Sequence, residues 1–242
     1  MRIRLTVSYR GTYYSGWQVQ PDVPSIQGEL QAVAARLTQR EVKVTGASRT
    51  DAGVHALGQV CHFDAPRSIL TPQWMHALER LLPEDIRVVA CEEVNADFHA
   101  RFDARQKTYR YYIDPAPIAS PFLSPFTWHR PRLTHFDAML EATGHLNGKI
   151  CQRVFASQPE GGRDIRIIDH FSVERDRLVV FTVKSRSFMR HAVRGMVGSL
   201  LEVGYGRRQP DEIGAMAETV QGHAPMVKAP PQGLFLVAVH YD

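Results

Sequence analysis

The sequence predicts an α+β fold. Two ferredoxin-like (β-α-β-β-α-β) halves are expected, with a central antiparallel sheet and a cleft between the halves. Three observations carry this. Short segments alternating apolar and polar residues are interleaved with segments whose apolar residues recur every three or four positions. Their order follows the split-βαβ pattern, and it occurs twice. A loop, NADFHARFDA, closes the first copy near Asp103, and a Pro-rich stretch at 115–131 follows the first strand of the second copy, reading as an extended surface segment. The halves are therefore placed at residues 1–103 and 104–242.

In chain order, residues 2–10 alternate Ile3, Leu5, Val7 and Tyr9 with polar neighbours, as a half-buried strand does. A Gly-bearing loop, GTYYSGWQVQP, follows. Ser25 is an N-cap for a helix with Ile26, Leu30, Val33 and Leu37 on one face. Strands are expected at 41–45 and 58–64, a Thr71-Pro72-led helix with Met75, Leu78 and Leu82 inward, and a strand at 86–94. In the second half, a strand at 107–114 precedes a helix at 134–146 that stops at Asn147-Gly148. A hairpin pairs 167–174 with 178–185 about Arg175-Asp176-Arg177. Ser187 is expected to cap a long helix to Val203, a short helix starts at Asp211, and 234–241 forms the last strand.

Composition bounds the function. The 242 residues suffice for one large or two small domains, with 44% hydrophobic and 22% charged residues. No apolar run approaches the ~20 residues of a membrane span, and the N-terminus lacks the apolar block of a signal peptide. Cys61, Cys91 and Cys151 are odd in number and widely spaced, as reduced thiols of a cytoplasmic protein are. The formal net charge is +4 and is uneven. Residues 1–103 hold eleven Lys and Arg against twelve Asp and Glu, whereas 104–242 hold eighteen against thirteen. A basic second half suits a polyanion, since each neutralised phosphate releases counterions. Arg outnumbers Lys 24 to five, a bias that suits planar phosphate and base contacts but also follows from a GC-rich genome. No Walker loop, dinucleotide glycine fingerprint, H-E-x-x-H or zinc-deaminase pattern is present.

Residues 48–60, SRTDAGVHALGQV, lie between two strand-like runs and hold one carboxylate, Asp51, flanked by Arg49, Thr50 and Gly53. Gly53 permits positive φ, so a turn can present the side chain, and Arg49 favours its ionised form. An Asp beside Thr and Gly is most often a turn residue bonding its own backbone. The whole string says more: it resembles the signature of the TruA-type tRNA pseudouridine synthases, in which the Asp of R-T-D-A-G is catalytic. Weaker family-like segments extend from Tyr9 to Tyr241. The resemblance implies the pseudouridine-synthase fold, tRNA as substrate with action at positions 38 to 40 of the anticodon arm, no cofactor or metal, and a homodimer. Pseudouridine formation is redox-neutral and consumes no water. It needs a nucleophile that adds and later leaves, which an ionised carboxylate provides.

Further residues follow from the resemblance. Tyr109, in RQKTYRYYI, matches the active-site Tyr of K/R-x-Y-R-Y and is expected against the target uracil. Arg194, in the stretch SFMRHAVRGMVGSL, matches the Arg of V-R-x-x-V-G that pairs with the catalytic Asp. Leu236 matches a strand near the pocket, although its default reading is a core leucine and nothing more. Arg49 is assigned to the RNA, filling the space of an extruded base and holding a phosphate. Arg190 is read as snorkelling along the border of the Arg194 helix. The chain departs from the family where Tyr9-Arg10-Gly11-Thr12 replaces Y-D-G-T, where Ser48 replaces Gly, and where the G-x-H-D-F block is missing. Two other classes compete: a non-catalytic split-βαβ RNA-binding module, which has no need of Asp51, and a base-excising glycosidase, which wants two carboxylates.

Overall fold

Eight residues with strict alternation open the chain, and the computed structural model, which describes residues 1–157, 164–218 and 227–241, makes them strand β1 (Arg2–Tyr9). Ile3, Leu5, Val7 and Tyr9 are buried while their neighbours are not. Helix α1 (Ile26–Thr38) begins at Ser25, whose Oγ accepts from Gly28 N at 3.2 Å, and buries Ile26, Leu30, Val33 and Ala34. Strand β2 is only Thr45–Gly46. The strand expected over 41–45 is shorter because Val44 has no ladder partner. Its carbonyl accepts from Gln27 Nε2 at 2.7 Å and its N–H donates to Gln31 Oε1 at 3.2 Å, both on α1. Side-chain amides there satisfy backbone groups that a sheet would otherwise satisfy.

Strand β3 (His55–Asp64) is buried on both faces, helix α2 (Thr71–Leu81) packs Trp74 edge-on to Phe63, and strand β4 (Ile86–Val94) completes the set. The antiparallel order is β4-β1-β3, with β2 beside β3 at Cys61 and His62, which is the split-βαβ arrangement. The following loop rests on two imidazoles. His62 Nδ1 accepts from Ala100 N at 3.1 Å, and His99 Nδ1 accepts from Arg101 N and Phe102 N at 3.1 and 3.2 Å. Both rings must therefore be unprotonated at Nδ1.

The second unit starts with β5 (Gln106–Asp114), with a two-residue strand β6 (Trp128–His129) running parallel to it. Helix α3 (Phe136–Gly144) is followed by β7 (Gly148–Cys151), β8 (Ile165–Arg175) and β9 (Val179–Ser185), in the antiparallel order β5-β9-β8-β7. The expected hairpin is present, and β6 and β7 are additions too short to show a period in the sequence. Helix α4 (Ala192–Gly204) starts four residues later than expected, with His191 and not Ser187 at its N-cap position. Ser187 N instead donates to Ser185 Oγ, Met189 N is held by Gln152 Oε1 at 2.9 Å, and His191 takes the left-handed conformation (φ 65°). With these bonds made, residues 187–191 cannot join the helix. Helix α5 (Pro210–Glu218) and strand β10 (Leu234–His240) complete the chain, β10 running parallel to β3 through Phe235–His55 and Leu236–Ala56.

The chain divides into two compact units, Met1–Arg105 with Phe235–Asp242, and Gln106–Leu234. The first therefore recruits the last strand to the far edge of β3. No helix among the described residues is long and apolar enough to cross a membrane.

Burial, and then the neighbouring His99, push the His62 pKa down to about 4. A folded-state value below the unfolded ~6.5 means that the unfolded chain binds the proton first. Stability is thus full above pH 6.5 and falls as the pH drops towards 4, by about 3 kcal/mol for this one group. His62→Asn keeps an acceptor for Ala100 N without a titrating ring. Thermal melts across pH 4–7 should therefore be flatter for this variant than for the parent, and equally steep melts would contradict the assignment.

Candidate active site

The Asp51 turn is built entirely from the first unit. Val54 N donates to Asp51 O at 3.1 Å, closing a four-residue turn, and Gly53 sits at φ 77°, where a side chain would be strained. Ahead of it, Gln59 grips Ser48 twice: its Nε2 donates to Ser48 O at 2.7 Å and its Oε1 accepts Ser48 N at 3.2 Å. Thr50 is buried with Oγ1 2.7 Å from Tyr9 Oη. Asp51 is half-buried and Arg49 beside it is exposed.

The loop after β1 clamps this turn. Trp17 N donates to Thr50 O at 3.0 Å and Gly53 N donates to Tyr14 O at 3.3 Å, one bond on either side of Asp51. Gly11 N donates to His55 Nδ1 at 3.1 Å, tying the same loop to the start of β3. Two glycines allow the approach. A Cβ on Gly11 would lie 2.0 Å from Val54 O, and one on Gly16, itself at φ 96°, 2.5 Å from Thr50 O. Tyr14 Oη donates to Asp85 Oδ1 at 2.7 Å, which with burial raises the phenol pKa and anchors the loop to the residue preceding β4. Chemically, the carboxylate stands at the first position of a rigid turn with an exposed guanidinium next to it.

In the second unit, Tyr109 is buried on β5, opposite Val183 of β9 and edge-on to Phe188 at 5.4 Å. Arg194 is buried in the first turn of α4, only 7% exposed, and its Nε donates to Ala229 O at 2.7 Å while Ala229 N donates to Arg194 O at 3.1 Å. Tyr111 Oη donates to the next carbonyl, Pro230 O, at 2.8 Å. Burial raises the Tyr111 pKa, against an opposing effect of the Arg194 and Arg130 charges, so this phenol stays protonated as a donor. Gly198 admits the strand-like 227–229 segment: a Cβ there would meet Val227 O.

The sequence-predicted residues thus fall in two groups. Asp51, Arg49 and Leu236 belong to the first unit, Tyr109 and Arg194 to the second. Leu236 is fully buried in register with Ala56 and packs as core. Arg190 is exposed but lies outside α4, its carbonyl accepting from Ser157 N at 3.2 Å, so it does not run along the border of the Arg194 helix as expected. Tyr14, Trp17, Gln59 and Tyr111 hold these groups in place without having been singled out. Their contacts are long-range, and only the glycines of GTYYSGW hinted at a close approach.

A family model described as tRNA pseudouridine synthase matches residues 5–103 and 142–242. The chain is similar to the tRNA pseudouridine synthase A of Methylacidiphilum infernorum (isolate V4), with 39% identity over 243 residues, spanning 98% of this chain and 94% of that protein. It is similar to the protein of the same name from Bacillus pumilus (strain SAFR-032), at 38% identity and 100% coverage of both. A third, from Brevibacillus brevis (strain 47 / JCM 6285 / NBRC 100599), shows 39% identity and 99% coverage of both.

Gly16→Ala should disrupt the clamp, because its Cβ must displace the Thr50 carbonyl and adopt positive φ. A loss of roughly 1–3 kcal/mol in unfolding free energy is expected. Gly144→Ala, with nothing within 4 Å of the added carbon, should cost nothing or add a few tenths. Denaturant melts of the two variants check this, and equal stability would contradict the close approach.

Proposed function

The chain belongs to the tRNA pseudouridine synthase family, and on that premise we propose that it isomerises uridines at positions 38 to 40 of the tRNA anticodon arm, with Asp51 as nucleophile. Like its family it is an isomerase. The N1–C1′ bond breaks, the base turns, and a C5–C1′ bond forms; C5 gives up a proton and N1 gains one. The Asp51 carboxylate adds at C6 of the base or C1′ of the ribose and leaves again, dividing one exchange into two easier steps. What carries this reading is the turn: the thirteen residues of family signature form a clamped turn and the start of β3, with one carboxylate at the first position of the turn.

The other roles follow from the same reading. Arg194 takes the part of the family's Arg that pairs with the catalytic Asp, and the bond from its Nε to Ala229 O orients its guanidinium. Tyr109 lies against the uracil, its ring steadied by Phe188. Exposed Arg49 takes the space vacated by the extruded nucleotide and holds a phosphate. The chain acts as a homodimer in the cytoplasm, where its substrate is found, and requires neither metal nor cofactor.

The test uses tRNA tritiated at uridine C5, with label counted in water. The parent should release it, and Asp51→Asn should lower the rate by roughly a thousandfold or more. Arg194→Lys keeps the charge but loses the planar fork and the Nε bond to Ala229 O, and should lower turnover about 10- to 100-fold while the chain still folds, with a lower melting temperature. Release of free uracil would favour a glycosidase instead. Tight tRNA binding by the parent with no label released would favour a non-catalytic module. Near-parental rates in Asp51→Asn would refute the nucleophile.

A further inference from the structure

Among the described Phe, Tyr and Trp residues of the first unit, two rings face solvent: Tyr13, 69% exposed, and Phe102, 67% exposed. Each carries an arginine. Arg10 Cζ lies 5.5 Å from the Tyr13 centroid, and Arg101 Cζ lies 5.9 Å from that of Phe102. An exposed ring with a guanidinium over it suits an unpaired base and its phosphate: the base stacks where the guanidinium lies, and the displaced cation answers the backbone charge.

Phe102 is the better-built of the two. Its ring stacks on His99 at 4.2 Å and 28°. The backbone beneath is fixed by the two imidazole acceptors described above and by a bond from Tyr241 Oη to Ala100 O at 2.7 Å. His99 N donates to Asp103 Oδ2 at 2.7 Å, and Asp103 N returns a bond to His99 O at 3.1 Å. So the one acid flanking the ring is engaged with the loop's own backbone, while Arg101 and Arg105 are exposed on either side. The ring is held outward instead of folding onto the core. A protein partner would want an apolar interface centre of about 1,000 Å² or more in total, and Phe102 is instead bordered by charged residues.

We propose that Phe102 with Arg101, and Tyr13 with Arg10, are two stacking platforms that hold unpaired nucleotides of the RNA substrate outside the catalytic turn. This rests on tRNA being the substrate. It also gives a role to Arg10, which replaces the acid usual in the family: Tyr13 lies in the loop that clamps Asp51, so a cation at position 10 turns that loop's outer side toward a phosphate.

Binding of a tRNA transcript, measured over a series of salt concentrations together with steady-state turnover, tests it. Phe102→Ala should raise Kd and KM about tenfold, with the melting temperature of the parent. The loss should sit in KM and leave kcat within about twofold. Phe102→Trp should recover binding. Arg101→Ala should lower the slope of log Kd against log salt by about one. Parental Kd in Phe102→Ala together with a parental slope in Arg101→Ala would overturn the proposal. So would a change of oligomeric state in Phe102→Ala with tRNA affinity retained, which would assign the ring to a protein interface. The two readings fail separately: a parent that binds tRNA without releasing C5 tritium would defeat the proposed reaction, and the binding comparison would still decide the platforms.

Discussion

Two backbone hydrogen bonds, from Trp17 N to Thr50 O and from Gly53 N to Tyr14 O, determine how Asp51 is presented. They flank the residue on both sides, so the backbone from which its carboxylate projects is tied to the preceding loop. Everything nearby serves their geometry. Gly11 and Gly16 bring the two loops within reach, Trp17 buries its ring against Gly46, and Tyr14 ties the clamp to Asp85. The nucleophile role proposed for Asp51 would gain from this arrangement, since reorientation in the transition state would otherwise raise the barrier.

The second unit solves a related problem with buried charge. A guanidinium at 7% exposure costs several kcal/mol unless its donors are met. The 227–230 segment contributes, accepting from Arg194 at Ala229 and from Tyr111 at Pro230 on consecutive carbonyls. The same few residues therefore orient a cation and a phenol. That economy explains why α4 needs glycine at 198, where the segment runs against the helix. Burial and orientation are not separable here, because loosening the 227–230 segment would uncover the guanidinium that it holds in place.

How much of this was legible follows from the range of the interactions. Strand β1 and helix α1 were readable because alternation, a three-to-four spacing and a Ser cap are local. Residues 41–44 read as a strand because Val42 and Val44 alternate correctly, yet their backbone partners are Gln27 and Gln31 on a helix, which no local pattern announces. Ser187 looked like a cap, but Gln152 had already taken the Met189 amide, 37 residues away in the chain. In the site, the R-T-D-A-G string marked Asp51 at once. The clamp was hidden: GTYYSGW reads as an ordinary glycine loop until Trp17 N is seen to donate to Thr50 O and Tyr14 O to accept from Gly53 N.

Hydrogen exchange resolved at single amides bears most directly on whether the Asp51 turn is rigid. With the clamp as described, the Trp17 and Gly53 amides should exchange as slowly as neighbouring amides of β3, such as Val60, although both lie in loops. Exchange at the rate of an exposed surface loop would mean that the turn opens freely, and the account of a pre-set carboxylate would be wrong.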